Sequence, residues 1–144
     1  MLKNVPSLLT PDLLHTLAAM GHGDRLAIVD RNYPSASSAP RVHHLAGADT
    51  ATAAKAILAL FPVDTFDDPA VFRITPPDQP DAWFDAHLEF QTELDTAEGR
   101  EVRIAPVERL DFYALTRSAY AIVQTGEPRG YSCFVLTKGV LQPD

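Results

Sequence analysis

A histidine between two glycines opens the stretch with the most chemical content, Met20-Gly21-His22-Gly23-Asp24. It runs on through Leu26-Ala27-Ile28-Val29-Asp30 to a turn at Asn32, Tyr33 and Pro34. Imidazole gives and takes protons near neutrality, and a carboxylate accepts hydrogen bonds, so His22 and Asp30 are residue types suited to acid–base work on a polar ligand. They stand eight positions apart, up to ~26 Å in a fully extended chain. Either the glycine turn folds His22 back, or a second chain brings the other half of a site. The competing reading is a turn histidine and an Asp that caps the next helix. Arg109 is a cation at a predicted helix N-terminus, where the helix dipole disfavours it. It either pairs with Glu108 or Asp111 or meets an anion or hydroxyl from outside. Tyr131 opens the last predicted strand, where it packs at an edge or offers its ring and hydroxyl to a ligand.

The elements that would hold these groups can be read from capping and periodicity. Thr10-Pro11-Asp12 is a helix start, with Thr as N-cap and Pro in the first turn. Leu13, Leu14, Leu17, Ala18 and Met20 give that helix an apolar face, and Gly21 closes it. His22 therefore leaves a helix and enters a buried strand over 26–30, whose middle is aliphatic without helical period. Residues 35–40 form a small-residue surface loop. A short strand over 42–45 contains His43 and His44, which face opposite sides and so do not form a metal pair. Asp49 caps a second helix with Ala53, Ala56, Ile57, Leu60 and Phe61 inward, ended by Pro62. A strand over 70–74 precedes a long helix over 81–97 carrying Trp83, Phe84, His87 and Leu94, with His87 as a packing residue and Gly99 as the stop. A strand over 101–104 ends before Pro106. A fourth helix runs from Glu108 to about Ala119. Strands over 120–124 and 131–137 flank a Gly- and Pro-rich turn containing Glu127, as a hairpin or a close neighbour pair.

Helices alternating with short buried strands specify an α/β chain, one layered domain over 1–144 with helices packed on a mainly parallel mixed sheet. Nineteen acidic residues against 12 basic give a net charge of −7. No basic stripe appears, so nucleic acid and anionic membrane are poor partners. No run of 18 apolar residues exists for a membrane span, and the N-terminus lacks the apolar core of a signal peptide. The single cysteine, Cys133, forms no internal disulfide and fits a reducing cytoplasm. Glycine-rich nucleotide loops, a Gly-x-Ser-x-Gly elbow and zinc-type ligand spacing are all missing. Trp83, Phe84, Phe90 and an alanine-rich second helix supply more apolar faces than one core needs, which points to a homo-oligomer.

Three segments in register carry a family resemblance. They are Met20-Gly21-His22-Gly23-Asp24 with its strand to Asp30, Arg109-x-x-Phe112-Tyr113, and Thr125-Gly126-Glu127 leading to Tyr131 and Lys138-Gly139-Val140. Nearly end to end, the chain resembles the L-fucose mutarotase and D-ribose pyranase family, the fucose branch most closely. The resemblance implies an α/β fold assembled into a ring-like oligomer, often a decamer, with sites near subunit contacts. It implies interconversion of monosaccharide anomers with no metal and no redox cofactor. Position by position, His22 matches the catalytic acid/base, and Asp30, Arg109, Tyr131, Ser132 and Cys133 match substrate-binding positions. The family usually carries Asn where this chain has Cys133. Cys gives only a weak donor and a weak acceptor where Asn gives both strongly, so the change bears on sugar identity. A non-catalytic sugar-binding module is the second reading that this position leaves open.

Overall fold

The structure is a computed structural model that describes residues 1–143. The elements follow the predicted order: α1 (Pro11–Ala19), β1 (Arg25–Val29), β2 (Val42–Leu45), α2 (Thr50–Leu58), β3 (Val71–Thr75), α3 (Asp85–Glu98), β4 (Ile104–Glu108), α4 (Arg109–Arg117), β5 (Ala121–Thr125) and β6 (Phe134–Thr137). Both predicted caps are made: Leu13 N–H donates to Thr10 Oγ1 at 3.2 Å and Thr52 N–H to Asp49 Oδ1 at 2.7 Å. Each satisfies one of the orphan amides of a helix start.

The six strands form one sheet in the order β2-β5-β1-β6-β3-β4. β2, β5 and β1 run parallel to one another, as do β3 and β4. β6 lies antiparallel between β1 and β3 and is the seam that joins the two parallel groups. Central strands are covered on both faces, so side chains alternate between two cores. Leu26, Ile28, Phe134 and Leu136 join the larger core together with α1, α2 and α3 residues such as Leu13, Ile57 and Phe90. Ala27, Val29, Cys133 and Val135 face Phe112 of α4 in the smaller one. Phe90 stacks flat on Phe134, with centroids 3.8 Å apart, fixing α3 over the seam.

Three expectations are corrected. β5 and β6 are not a hairpin or neighbours, because β5 already has β2 on one side and β1 on the other. A strand buried on both faces, as all four β6 residues are, belongs in the interior of the sheet. The strand predicted over 101–104 is instead β4 and contains Pro106. Proline lacks the N–H that a central strand needs, but β4 is the edge and tolerates it. The long helix begins at Asp85, after Trp83 and Phe84. Phe84 is its N-cap and donates its backbone N–H to His87 Nδ1 at 3.2 Å, while Trp83 covers the buried Arg73 guanidinium at 3.8 Å from the ring centre.

Candidate active site

Asp30 follows the last residue of β1 and is buried. Its Oδ1 accepts the Asn32 N–H at 3.0 Å and its Oδ2 accepts the Cys133 thiol at 3.4 Å. The Asp30 N–H in turn donates to Cys133 Sγ at 3.5 Å. Burial, and then the Asp30 charge, push the Cys133 thiol well above its usual range, so it remains a neutral donor. Cys133 immediately precedes β6 and Asp30 immediately follows β1, so two adjacent antiparallel strands bring the pair together.

Arg109 is the first residue of α4. Glu108 caps that helix by accepting the Leu110 N–H at 3.2 Å, and among the described residues Arg109 makes no ion pair. Its guanidinium lies 5.8 Å from the Tyr113 ring centre, one turn along, within cation–π range. Tyr131 has φ 55, a left-handed conformation uncommon for a side chain of this size. It is held there by its own carbonyl, which accepts His87 Nε2–H at 2.7 Å. Since His87 Nδ1 already accepts the Phe84 amide, His87 is a neutral tautomer. Burial lowers its pKa further, so the expectation of a packing histidine is met by a fully buried brace.

Asp30, Arg109, Tyr113, Tyr131 and Cys133 line one open cleft of about 170 Å³. Pockets that enclose a drug-sized ligand run to about 300 Å³ or more, so this cleft offers a polar wall rather than a full enclosure. Tyr33 also borders it, but its hydroxyl is shared with Thr116 Oγ1 at 2.7 Å and burial raises its pKa. Ser132 turns away from this cleft and lines a neighbouring depression with Trp83 and Arg129.

His22 is elsewhere. The turn does not fold it back: Gly21 N–H donates to Asp24 Oδ2 at 2.8 Å and Gly23 N–H to the Lys138 carbonyl at 2.9 Å. Only Gly23 of the two glycines takes a positive φ, 86°. The five residues of β1 separate His22 from Asp30, roughly 17 Å of strand at about 3.3 Å per residue. His22 borders an apolar groove with Leu14, Leu17, Met20 and Lys138. Its Nε2 meets Asp64 Oδ1 at 3.0 Å, and the Phe66 ring packs edge-on at 4.9 Å. One chain thus carries the acid–base candidate and the polar cleft at opposite ends of a strand.

Sequence reasoning missed Asp64 and Phe66, and named Tyr113 only within the Arg109-x-x-Phe112-Tyr113 motif, without a place in the site. The spacing of Arg109 and Tyr113, four apart on one helix, could have revealed the last. Nothing local links His22 to Asp64, 42 positions away. Glu127, read as a turn residue, is in the turn but wholly buried. The Arg129 side chain, opposed by burial, and the backbone amides of Arg129 and Thr50 together hold its carboxyl down at about 2. His43 and His44 do face apart: His43 bonds Thr16 Oγ1 at 2.8 Å and His44 is exposed. Among the described residues no three His, Cys, Asp or Glu side chains group as metal ligands, and no helix is long and apolar enough to cross a membrane.

The chain is similar along its whole length to several known proteins. Fucose mutarotase from Danio rerio is 39% identical, covering 99% of this chain and 96% of that protein. The Homo sapiens fucose mutarotase is 37% identical over 97% and 94%. The crystal structure of the Streptococcus pneumoniae fucose mutarotase in complex with L-fucose superposes with a TM-score of 0.90 at 34% identity, covering 98% of this chain and all of that one. Residues 3–141 match the RbsD / FucU transport protein family, and the chain belongs to it.

Proposed function

We propose that this chain is a mutarotase that interconverts the anomers of a free monosaccharide, L-fucose or a close relative, by acid–base ring opening and closing. The observation that carries this reading is the cleft at the end of β1, in a chain that keeps the fold of the fucose-bound mutarotase from end to end. Mutarotation needs a proton delivered to the ring oxygen and one removed from the anomeric hydroxyl. The open aldehyde then rotates and closes on its other face. Asp30 is held as an acceptor for vicinal hydroxyls, Arg109 donates to them, and the Tyr131 ring covers the apolar face of the sugar. Asp30, directly or through a water, takes the hydroxyl proton, and imidazolium protonates the ring oxygen. General acid–base terms of ~10²–10⁴-fold suffice for a reaction that already runs in water.

His22 cannot reach the cleft of its own chain across β1, so it acts on the cleft of a neighbouring copy. The apolar groove beside it, with Leu2, Val140 and Leu141 exposed, supports burial against a second subunit. A ring-like homo-oligomer, a decamer in this reading, gives each chain a neighbour to receive His22 and a neighbour to supply it. The buried lone thiol suits a cytoplasmic setting.

The test is saturation-transfer NMR of anomer exchange on L-fucose, D-ribose and D-galactose. Exchange at the background rate for all three would sink the reading and leave a sugar-binding module. Mixed oligomers test the shared site. His22→Gln and Arg109→Ala are each expected to be inactive alone, and co-refolded oligomers should regain exchange where two intact halves meet. Folded mixed oligomers without regained exchange would show that the two halves do not cooperate between chains.

A further inference from the structure

His87 lies in the first turn of α3, wholly buried, and both of its ring nitrogens bond to backbone. Nδ1 accepts the Phe84 N–H at 3.2 Å, a bond that caps the helix. Nε2 donates to the Tyr131 carbonyl at 2.7 Å, across 44 positions of chain. Among the described residues this is the only hydrogen bond from the backbone of residues 130–132 to another element. Tyr131 needs such a tie. At φ 55 its side chain crowds its own backbone, and a turn left to itself would relax to a negative φ. In the conformation held here, Tyr131 and Cys133 face the cleft while Ser132 faces the neighbouring depression.

We propose that His87 is a positioning residue for the sugar cleft: its Nε2–H holds the Tyr131 carbonyl and keeps that tyrosine in the left-handed conformation that presents its side chain to the sugar. The inference rests on the reading of the cleft as a sugar site. His87 does not line the cleft, so its effect reaches the sugar through Tyr131.

The donor is itself fixed. Phe84, Phe134 and Trp83 surround the His87 ring, with centroids 5.1, 5.7 and 6.2 Å away. The Phe84 ring also packs 6.0 Å from the Tyr131 ring, so one segment supports both the backbone and the side chain of Tyr131. That segment is anchored on β3. Arg73 Nη1 donates to the Ile104 carbonyl at 2.8 Å and Nε to the Ala82 carbonyl at 3.4 Å, under the Trp83 ring. Burial holds the His87 pKa below its usual value; the Tyr131 carbonyl works against this, and the Arg73 guanidinium works with it. The ring therefore stays neutral near pH 7, and Nδ1 stays an acceptor for the Phe84 amide.

A packing or capping role alone makes a different demand on the side chain. The cap needs an acceptor at the place of Nδ1, and the brace needs a donor at the place of Nε2. Asparagine can supply the first but stops short of the Tyr131 carbonyl. Glutamine is long enough to bring its NH₂ to the second.

The test compares His87→Asn with His87→Gln in the intact oligomer. L-fucose binding is read by ligand-observed NMR and anomer exchange by saturation transfer. His87→Asn should raise Kd and KM by about 5- to 10-fold, the worth of one hydrogen bond, with kcat within about threefold of native. Its crystal structure should show Tyr131 at a negative φ. His87→Gln should keep both constants within about twofold of native and Tyr131 left-handed. Native constants in folded His87→Asn, equal losses in the two variants, or a left-handed Tyr131 in His87→Asn would each overturn the proposal. In the native protein, ¹⁵N NMR of the ring should show Nε2 protonated and Nδ1 bare; the opposite tautomer would overturn it even where His87→Asn fails to fold. If the native protein binds L-fucose without speeding anomer exchange, the mutarotase reading fails instead, and the Kd values still decide what His87 does.

Discussion

Glu127→Gln tests how the turn before Tyr131 is held. Five donors converge on the two carboxylate oxygens. Arg129 Nε, at 2.7 Å, and the Arg129 amide, at 3.1 Å, reach Oε1. Arg129 Nη2, at 3.0 Å, and the Thr50 amide and hydroxyl, at 3.3 and 3.4 Å, reach Oε2. Glutamine keeps one oxygen, and its NH₂ must face at least two donors at the other position. The native carboxyl titrates at about 2 rather than 4.5, which at about 1.4 kcal/mol per pH unit amounts to about 3 kcal/mol. Arg129 is 40% exposed, and solvent screening brings the expected loss to about 2–3 kcal/mol at neutral pH. For a chain of this length that is a fall of roughly 6–12 °C in Tm at fixed protein concentration. The folded carboxyl is depressed, so its contribution is complete above the unfolded value of about 4.5 and fades as pH falls towards about 2. Melts followed by circular dichroism should therefore show a gap between native and Glu127→Gln protein that is widest at neutral pH and less than half as wide near about pH 3. A gap of constant width, or none at neutral pH, would refute the reasoning.

Two shorter tests rest on close contacts elsewhere in the fold. Cys133→Asn replaces the thiol that donates to Asp30, so it should change the ranking of KM among fucose, ribose and galactose while kcat on the preferred sugar stays within about tenfold; an unchanged ranking in exchange assays would show that Asp30 is oriented without the thiol. Gly126→Ala would set a Cβ 2.0 Å from the Ala46 carbonyl oxygen. It should cost at least about 1–3 kcal/mol, as overpacking does, and native-like chemical denaturation would show that the β2–α2 connection yields freely.

What was legible in the sequence was local. β1 is buried on both faces, which writes itself as an unbroken apolar run, and Thr10 and Asp49 cap their helices through bonds three residues long. β4 was misread because Pro106 normally argues against a strand, and nothing in its neighbourhood says that the strand is an edge. Trp83 and Phe84 fit helical spacing, but Arg73 draws Trp83 aside from a position ten residues earlier. The place of β6 is a property of the whole sheet, since it depends on β5 having both sides taken. Asp30, Arg109, Tyr131 and Cys133 were drawn together by resemblance, and the cleft gives that grouping a shape. Ser132 lies in the turn before β6, beside the left-handed Tyr131, and there it faces the neighbouring depression instead of the cleft. The His22–Asp64 contact had no signal, because two turns 42 residues apart meet only once the end of β6 has pinned them.

The position of β6 has a consequence for the growing chain. Every other strand precedes it in synthesis, yet it alone bonds the β2-β5-β1 group to the β3-β4 group. Until residues 134–137 have emerged, β1 and β3 each present an open edge, the kind of surface that invites mispairing with other chains. The same late segment brings Tyr131 and Cys133 to one end of the sheet and Thr137 and Gly139, the supports of Asp64, to the other. A nascent chain therefore lacks both the Tyr131–Cys133 side of the cleft and the support beneath the Asp64 loop, and both ends of the sheet are completed in the single step that closes it.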